Sequence, residues 1–262
     1  MFYGSILKDL IEEEKKGLIY ACSLHDKILL RNLLRDINKH CGCHLRYMSE
    51  LDMFNIDGSG EIILKYINNF ESELFKACLT SQLVADKTHN CETVIMTLYK
   101  HFRKSTDYAI SVNKSPRIDL HLVGSYDNAF WKLKPKKFKS DFIEIFDCPL
   151  DVLYLGLTFR TVCSWKMPEM LELINKYINA DKLTKLDFGI TEEFDDEVEF
   201  MDFIKKQIKL KALSCLQYYP TIENKRLLEQ YLDSGDRDMS MCVSKALKKL
   251  NDRLEKNKNE KG

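Results

Sequence analysis

Apolar residues recur at helical spacing along most of this chain, and this periodicity constrains the fold more than any other feature. In the N-terminal part the apolar positions repeat every three or four residues within segments 6–11, 29–37, 62–70, 74–79 and 94–102. Such spacing puts the apolar side chains on one side of a helix. Glycine and proline number only 10 and 5 among 262 residues, whereas sheet-rich folds need turn residues every 8–12 positions or so. The sequence therefore predicts an all-α fold.

One segment departs from the helical spacing. Tyr108, Ile110 and Val112 alternate with small or polar residues, and the apolar residues at 118, 120 and 122 do the same after the turn-forming residues 113–116. Alternation on both sides of a turn is typical of a small β-hairpin. We therefore expect a hairpin or an extended connector over residues 108–125. It separates an N-terminal helical region (1–107) from a second helical region (126–254), which is followed by a disordered tail (255–262).

The second helical region contains an internal repeat. The segment 171–180 matches the segment 225–234, which begins 54 residues later. The equivalent pairs are Leu173 and Leu227, Ile174 and Leu228, Tyr177 and Tyr231, and Ile178 and Leu232. An apolar helix is expected before each copy, over 152–162 and 204–216, and a third such helix is expected over 243–254. Helix starts are expected at Pro168 and Thr221, and Gly235 suits a left-handed helix end.

This helix-pair pattern, clearest over residues 204–254, resembles HEAT-like repeats. The resemblance implies an α-α superhelix in which each helix pair buries one face against the next pair. It also implies an extended surface that is suited to binding a macromolecular partner. Fold alone does not identify that partner.

Charge and cysteine content narrow the class of protein. The 40 basic and 40 acidic residues balance, whereas a general nucleic-acid binder normally has a basic excess. No signal peptide is evident, and no apolar stretch reaches the roughly 18–20 residues that span a bilayer. The nine cysteines lie mainly on apolar helical faces, as reduced cysteines do in a cytosol. We expect a cytoplasmic protein without a membrane span.

Two short segments suggest metal sites. Residues 55–66 resemble an EF-hand loop, with Asn55, Asp57 and Ser59 at ligand positions, but Tyr66 stands where a bidentate glutamate is needed. A turn that caps a helix beginning near Glu61 is therefore the preferred interpretation. Residues 40–44 (HCGCH) combine two histidines with two cysteines, but they are spaced too closely for a zinc site and have no second ligand pair. Here a helix end at Gly42 is preferred, and no metal or cofactor is expected.

Two charged runs are candidate binding sites. The usual interpretation of either run is a solvated surface. The acidic run, with Phe194 and Phe200 interleaved, suits a basic protein partner, because opposite charge steers encounter and aromatic residues anchor the contact. Its residues are Glu192, Glu193, Asp195, Asp196, Glu197 and Glu199. The basic run suits nucleic acid or an acidic partner, and its residues are Lys132, Lys134, Lys136, Lys137 and Lys139.

Enzymatic chemistry finds little support in the sequence. No nucleophile elbow, phosphate-binding loop, dinucleotide-binding fingerprint or H-E-x-x-H motif is present. The two tryptophans, Trp131 and Trp165, are expected in core packing. The alternative is an aromatic groove such as that of HEAT-like DNA glycosylases, but those enzymes have a strongly basic surface and an essential carboxylate that this sequence does not identify.

These observations favour a non-enzymatic protein-binding module. A small helical-repeat protein of this kind is similar, at the level of class, to immunity proteins of bacterial polymorphic and contact-dependent growth inhibition toxins. The resemblance implies that the chain binds a cognate toxin, such as a nuclease, and occludes its active or substrate surface. The alternatives are a HEAT-like nucleic-acid-binding protein or glycosylase-like enzyme, and a general scaffold or adaptor.

Overall fold

The structure is a computed structural model that describes residues 23–46, 50–51, 56–105, 120–190 and 197–259. Within those ranges every regular element is a helix and no strand is present, which confirms the all-α fold. None of the helices in this part of the chain is both long enough and apolar enough to cross a membrane.

Twelve α-helices lie in the described ranges, joined by short 3-10 turns. They are α1 Leu24–Cys41, α2 Gly60–Tyr66, α3 Glu73–Ala85, α4 Cys91–Phe102, α5 Leu120–Leu133, α6 Lys139–Phe146, α7 Pro149–Tyr154, α8 Gly156–Cys163, α9 Pro168–Ile178, α10 Glu197–Cys215, α11 Ile222–Glu229 and α12 Arg237–Asn259. The chain divides into two compact units. Of the described residues, those within 23–105 and 121–133 belong to the first unit, and residue 120 and those within 134–259 belong to the second.

The first unit is built by successive packing of neighbouring helices. Helix α1 packs on α2, α2 on α3, and α3 on α4. Helix α5 is attached to α4 by buried aromatic rings: the Tyr99 centroid lies 5.2 Å from that of Tyr126 and 5.7 Å from that of Phe130. Such pairs add about 0.5–1.5 kcal/mol beyond the area that they bury.

A carboxylate from the end of α3 holds the start of α2. The two oxygens of Asp86 accept hydrogen bonds from the backbone N–H groups of Gly58 (2.7 Å) and Gly60 (2.9 Å). Helix α2 begins at Gly60, which confirms the helix-capping turn expected near Glu61. The backbone donors of this loop bind an anionic side chain, whereas a calcium loop directs oxygen atoms towards its centre. Asn55 lies outside the described residues.

A second carboxylate fixes the connection between α2 and α3. Asp26 in α1 is buried, and its two oxygens accept hydrogen bonds from the backbone N–H groups of Glu71 (2.8 Å) and Ser72 (2.7 Å). Hydrogen bonds to a charged acceptor stabilise more strongly than neutral ones. Helix α1 therefore fixes the start of α3 through two hydrogen bonds, whose partners are 45 and 46 residues apart in the sequence.

Gly42 ends α1, as the sequence predicted. Its φ of 67° is left-handed, and its N–H donates to the carbonyl of Asn38 at 3.0 Å. The Asn38 side chain also accepts a hydrogen bond from the Leu45 N–H and donates one to the Leu45 carbonyl. The HCGCH segment is therefore a structured helix end.

Helix α10 is the centre of the second unit. It packs against α7, α8, α9 and α12, and α11 packs against α12. Its buried residues are Met201, Ile204, Ile208, Ala212, Leu213 and Cys215. Pro168 begins α9, and Thr221 caps α11 through a hydrogen bond from the Asn224 N–H, as the sequence predicted. Gly235 has the expected left-handed φ of 74°, but α11 already ends at Glu229, so the helix end expected at Gly235 is wrong.

The structure corrects three expected boundaries. Residues 120–125 belong to α5, which packs with the first unit, so no hairpin extends over them, and residues 106–119 lie outside the described ranges. The helix expected over 152–162 is broken at Leu155 into α7 and α8. The expected tail is wrong over residues 255–259, because α12 continues to Asn259 through strong helix formers such as glutamate and lysine.

The two copies of the internal repeat differ in structure. In the first copy Ile174 and Tyr177 are buried within α9. In the second copy Leu228 is buried, but α11 ends at Glu229, so Tyr231 lies in the turns that follow. The superhelical arrangement therefore stays an expectation.

The contact between Gly60 and Asp86 generates a prediction. A methyl group at Gly60 would overlap Thr88 Oγ1 and lie 2.7 Å from Asp86 Oδ2. We expect Gly60→Ala to lower the free energy of unfolding by about 2 kcal/mol, because it displaces the carboxylate that caps α2. Gly124→Ala is the matched control: Gly124 lies in α5 with nothing near its added methyl group, so a gain of about 0.5–1 kcal/mol is expected. Urea unfolding of the wild type and both variants measures these differences. A Gly60→Ala variant as stable as the wild type would contradict the capping role of Asp86.

Candidate protein-binding surface

The acidic run lies only partly within the described residues. Glu197 and Glu199 lie in the first turn of α10, whereas Glu192, Glu193, Asp195 and Asp196 lie outside the described ranges. Glu197 is half-buried and forms an ion pair with Lys185 at 3.3 Å. Glu199 is exposed. Of the two described acidic candidates, Glu199 is therefore the one that a partner can reach directly.

The first two turns of α10 have a buried side and an exposed side. Met201 and Ile204 face the core of the second unit. On the opposite side Val198 is 77% exposed and Phe203 is 56% exposed. The exposed carboxylates Glu199 and Asp202 lie next to them at helical spacing, since residues four apart are neighbours on a helix surface. Two acidic side chains thus lie between two apolar ones on the exposed part of these turns.

A short turn before the acidic run also has an exposed apolar side chain. Leu186 is 70% exposed, and its neighbour Lys185 forms the ion pair with Glu197. The turn is held by a capping box in which Asp187 accepts hydrogen bonds from the Thr184 N–H (2.6 Å) and hydroxyl (2.8 Å). These bonds hold the pKa of Asp187 below its usual value. We name the set Val198, Glu199, Asp202 and Phe203 the α10 surface.

Sequence reasoning found only part of the α10 surface. It selected Glu199 together with Phe194 and Phe200. Phe194 lies outside the described residues, and Phe200 is half-buried. It missed Asp202 and Phe203, although the helical spacing of the buried Met201, Ile204 and Ile208 would have placed both on the opposite side. An apolar residue can be recognised as exposed only after the buried side of its helix has been identified.

An ion-pair network lies beside the α10 surface. Lys206 contacts Asp236 at 2.6 Å and Asp238 at 3.6 Å, and Lys209 contacts Asp181 at 2.5 Å. Lys206, Lys209 and Asp181 line an open cleft of about 300 Å³ that Asp202 also borders. The network ties α10 to the start of α12 and to the turn after α9.

Asp236 also caps α12. Its Oδ1 accepts hydrogen bonds from the N–H groups of Asp238 (2.9 Å) and Met239 (3.1 Å). The hydrogen bond from Lys206, together with these backbone bonds, lowers the pKa of Asp236 below its ordinary value of 3.8. The ionised form of Asp236 is therefore the form that the fold stabilises.

The five lysines of the basic run are all exposed. Lys132 lies in the last turn of α5 in the first unit. The other four lie in the second unit: Lys134 has a left-handed φ of 49°, Lys136 and Lys137 form a 3-10 turn, and Lys139 begins α6. The Lys137 ammonium lies 5.1 Å from the centre of the Phe138 ring.

The tryptophans differ from each other in their surroundings. Trp165 is half-buried and meets the Phe142 ring edge-on at 5.9 Å, as expected for a residue that contributes to packing. The expectation of core packing is wrong for Trp131, which is exposed near the end of α5. Its position on the solvent side of α5 explains the difference, because the buried side of that helix is formed by Val123, Tyr126 and Phe130.

Metal ligands do not converge in the part of the chain that the structure describes. No group of three or more histidine, cysteine, aspartate or glutamate side chains is placed there to hold a metal ion. In the HCGCH segment the Cys43 thiol donates to the Asn38 side chain, and His40 is exposed. Burial raises the pKa of the Cys41 thiol, with a smaller contribution from Cys43, which disfavours the thiolate that binds metals.

Comparison of the chain with protein-family models, with curated proteins and with solved structures gives no match. Arguments about function therefore depend on the geometry of the chain itself.

The ion pair of Asp236 predicts a pH dependence of stability. Because the folded pKa is lowered, the stability that Asp236 contributes is present above the ordinary value of 3.8 and is lost as the pH falls through the lowered pKa. We expect Asp236→Asn to be less stable than the wild type at pH 7, and the two stabilities to converge below pH 3.8. Asp233→Asn, which removes an exposed carboxylate from the same turn, is the control and should change little. Urea unfolding from pH 7 to pH 3 tests this, and a difference that persists unchanged at pH 3 would contradict it.

Proposed function

We propose that this chain is a non-enzymatic protein-binding module that neutralises a basic toxin, such as a nuclease, by covering its active or substrate surface. The proposal corresponds to the immunity proteins of bacterial toxin systems. The observation that supports it best is the α10 surface, on which Val198 and Phe203 are exposed beside Glu199 and Asp202. Apolar anchors ringed by charge are the usual composition of a protein–protein contact.

The α10 surface is suited to a basic partner. Two carboxylates lie on it, and the sequence places four more, Glu192, Glu193, Asp195 and Asp196, directly before α10. Opposite charge accelerates encounter and disfavours acidic proteins, while burial of the apolar residues provides most of the affinity. Burying one large apolar side chain contributes about 1.5–3 kcal/mol.

The surface is also preorganised. Its helix is fixed by packing against four other helices. A rigid surface loses less conformational entropy on binding than a mobile one. Occlusion of a toxin surface needs no catalytic group in the chain.

Binding through the α10 surface predicts the effect of two variants. We expect Phe203→Ser to weaken partner binding about 30-fold, which corresponds to the loss of about 2 kcal/mol. The double variant Glu199→Lys and Asp202→Lys should slow association about 10-fold at low salt, with less effect at high salt. Ile222→Ser, at an exposed apolar residue of α11, is the control and should bind normally.

Co-purification from the native host, followed by titration of the purified partner, measures these effects. We expect the wild type to retain a basic protein whose toxicity the chain blocks in cells that express both. Retention of that protein by all variants alike would exclude the α10 surface as its site. Retention of an acidic protein, or of nucleic acid alone, would overturn the proposal.

Nucleic-acid binding is the second candidate function, because all five lysines of the basic run are exposed. If these lysines contact five phosphates, affinity for DNA or RNA should fall roughly 500-fold between 50 and 200 mM salt. Replacing Lys132, Lys134, Lys136, Lys137 and Lys139 with glutamine should then abolish binding. A gel shift at 50 mM salt tests this, and the absence of any lysine-dependent shift excludes it.

A further inference from the structure

Helix α1, in the first unit, also has exposed apolar side chains. Leu24 is 65% exposed and Ile28 is 46% exposed, one helical turn apart. Arg35 and Lys39 are also exposed and continue the same stripe, since steps of seven and four residues return to one side of a helix. The opposite side of α1 is buried through Leu30, Leu33, Leu34 and Ile37. We name Leu24, Ile28, Arg35 and Lys39 the α1 surface.

The α1 surface has a positive charge. The Arg35 side chain is 71% exposed, and its ion pair with Asp36 is long, at 3.4 Å. Asp36 also accepts a hydrogen bond from the Tyr66 hydroxyl, and this bond lowers the pKa of the Asp36 carboxyl. The only other acidic residue of α1, Asp26, is buried and bound to backbone N–H groups. The stripe therefore presents two apolar side chains followed by two cations.

The α1 surface and the α10 surface are complementary. One combines two apolar residues with two cations, and the other combines apolar residues with two carboxylates. We propose that the α1 surface of one copy of this chain binds the α10 surface of a second copy. The chain has no net charge and a pI near 7.0, so long-range repulsion between copies is weak at neutral pH.

The contact joins two different surfaces, and this determines the kind of assembly. A head-to-tail contact leaves one surface free at each end, so it builds open chains, or rings when the rotation closes. A helix-on-helix contact of this size lies at the small end of protein interfaces, so the assembly is weak and depends on concentration. Self-association also covers the α10 surface, so a partner that binds there must compete with it. The inference does not depend on the identity of that partner.

Two variants separate the two halves of the contact. Leu24→Ser with Ile28→Ser removes the apolar part of the α1 surface, and Val198→Ser with Phe203→Ser removes that of the α10 surface. All four side chains are exposed, so both variants should keep the helical circular dichroism and melting temperature of the wild type. Ile222→Ser is the control, because Ile222 is exposed on α11 and belongs to neither surface.

Sedimentation velocity of the purified full-length chain tests the proposal over about 5–500 μM, the range of weak interfaces. We expect the wild type and Ile222→Ser to form species larger than a dimer as concentration rises, and 0.5 M salt to reduce them. Each double variant alone should stay monomeric, with association weakened at least 10-fold. Mixing the two double variants should give a 1:1 dimer and nothing larger, because only one intact contact remains.

Three results would overturn the inference. A wild type that stays monomeric throughout the range lacks the contact. Association that only one of the two double variants abolishes would mean that the copies do not use both surfaces. A mixture of the two variants that fails to form the dimer would show that the surfaces do not bind each other. None of these results bears on binding of a heterologous partner, so the inference and the proposed function fail separately.

Discussion

The packing of helix α10 is the constraint on which the second unit depends. Its buried residues, from Met201 to Cys215, contact helices α7, α8, α9 and α12, so that one helix fixes the position of four others. The C-terminal part of α10 is the most buried, while its first two turns are buried on one side only. The exposed side of those turns is thereby held rigidly. A candidate binding surface is thus a direct consequence of how the core is built.

In the first unit, two carboxylates fix the positions of helix starts. Asp26 and Asp86 each accept two backbone N–H groups from segments between 26 and 46 residues away in sequence. These N–H groups lie at or just before the starts of α2 and α3, where helices leave donors unsatisfied. The same contact explains why Gly60 has no side chain, since a methyl group there would meet Asp86 and Thr88. Capping and close backbone approach therefore constrain the same few residues.

Local signals predicted the helical class and several helix ends, because a helix and its caps are specified within a few residues. Pro168, Thr221 and Gly42 act where the sequence placed them. The alternation at Leu120 and Leu122 predicted extended structure wrongly, because residues 120–133 also have the helical spacing of Val123, Tyr126 and Phe130, whose side chains are buried in the core. The Asp86 and Asp26 contacts were beyond prediction, since their partners are distant in sequence. Of the candidate site, the carboxylates were visible in sequence and the exposed Phe203 was not.

The apolar residues, more than the acidic ones, distinguish a binding surface from a solvated helix start. Acidic side chains stabilise the positive end of a helix dipole, so Glu197 and Glu199 have a sufficient explanation within the fold. Val198 and Phe203 have none: both are poor helix formers, and their exposure leaves apolar area in contact with water. Their neighbours Met201 and Ile204 bury the other side of the same two turns. Under the proposed function, stability and binding depend on opposite sides of one helix, so substitutions on the exposed side should alter binding while the fold is kept.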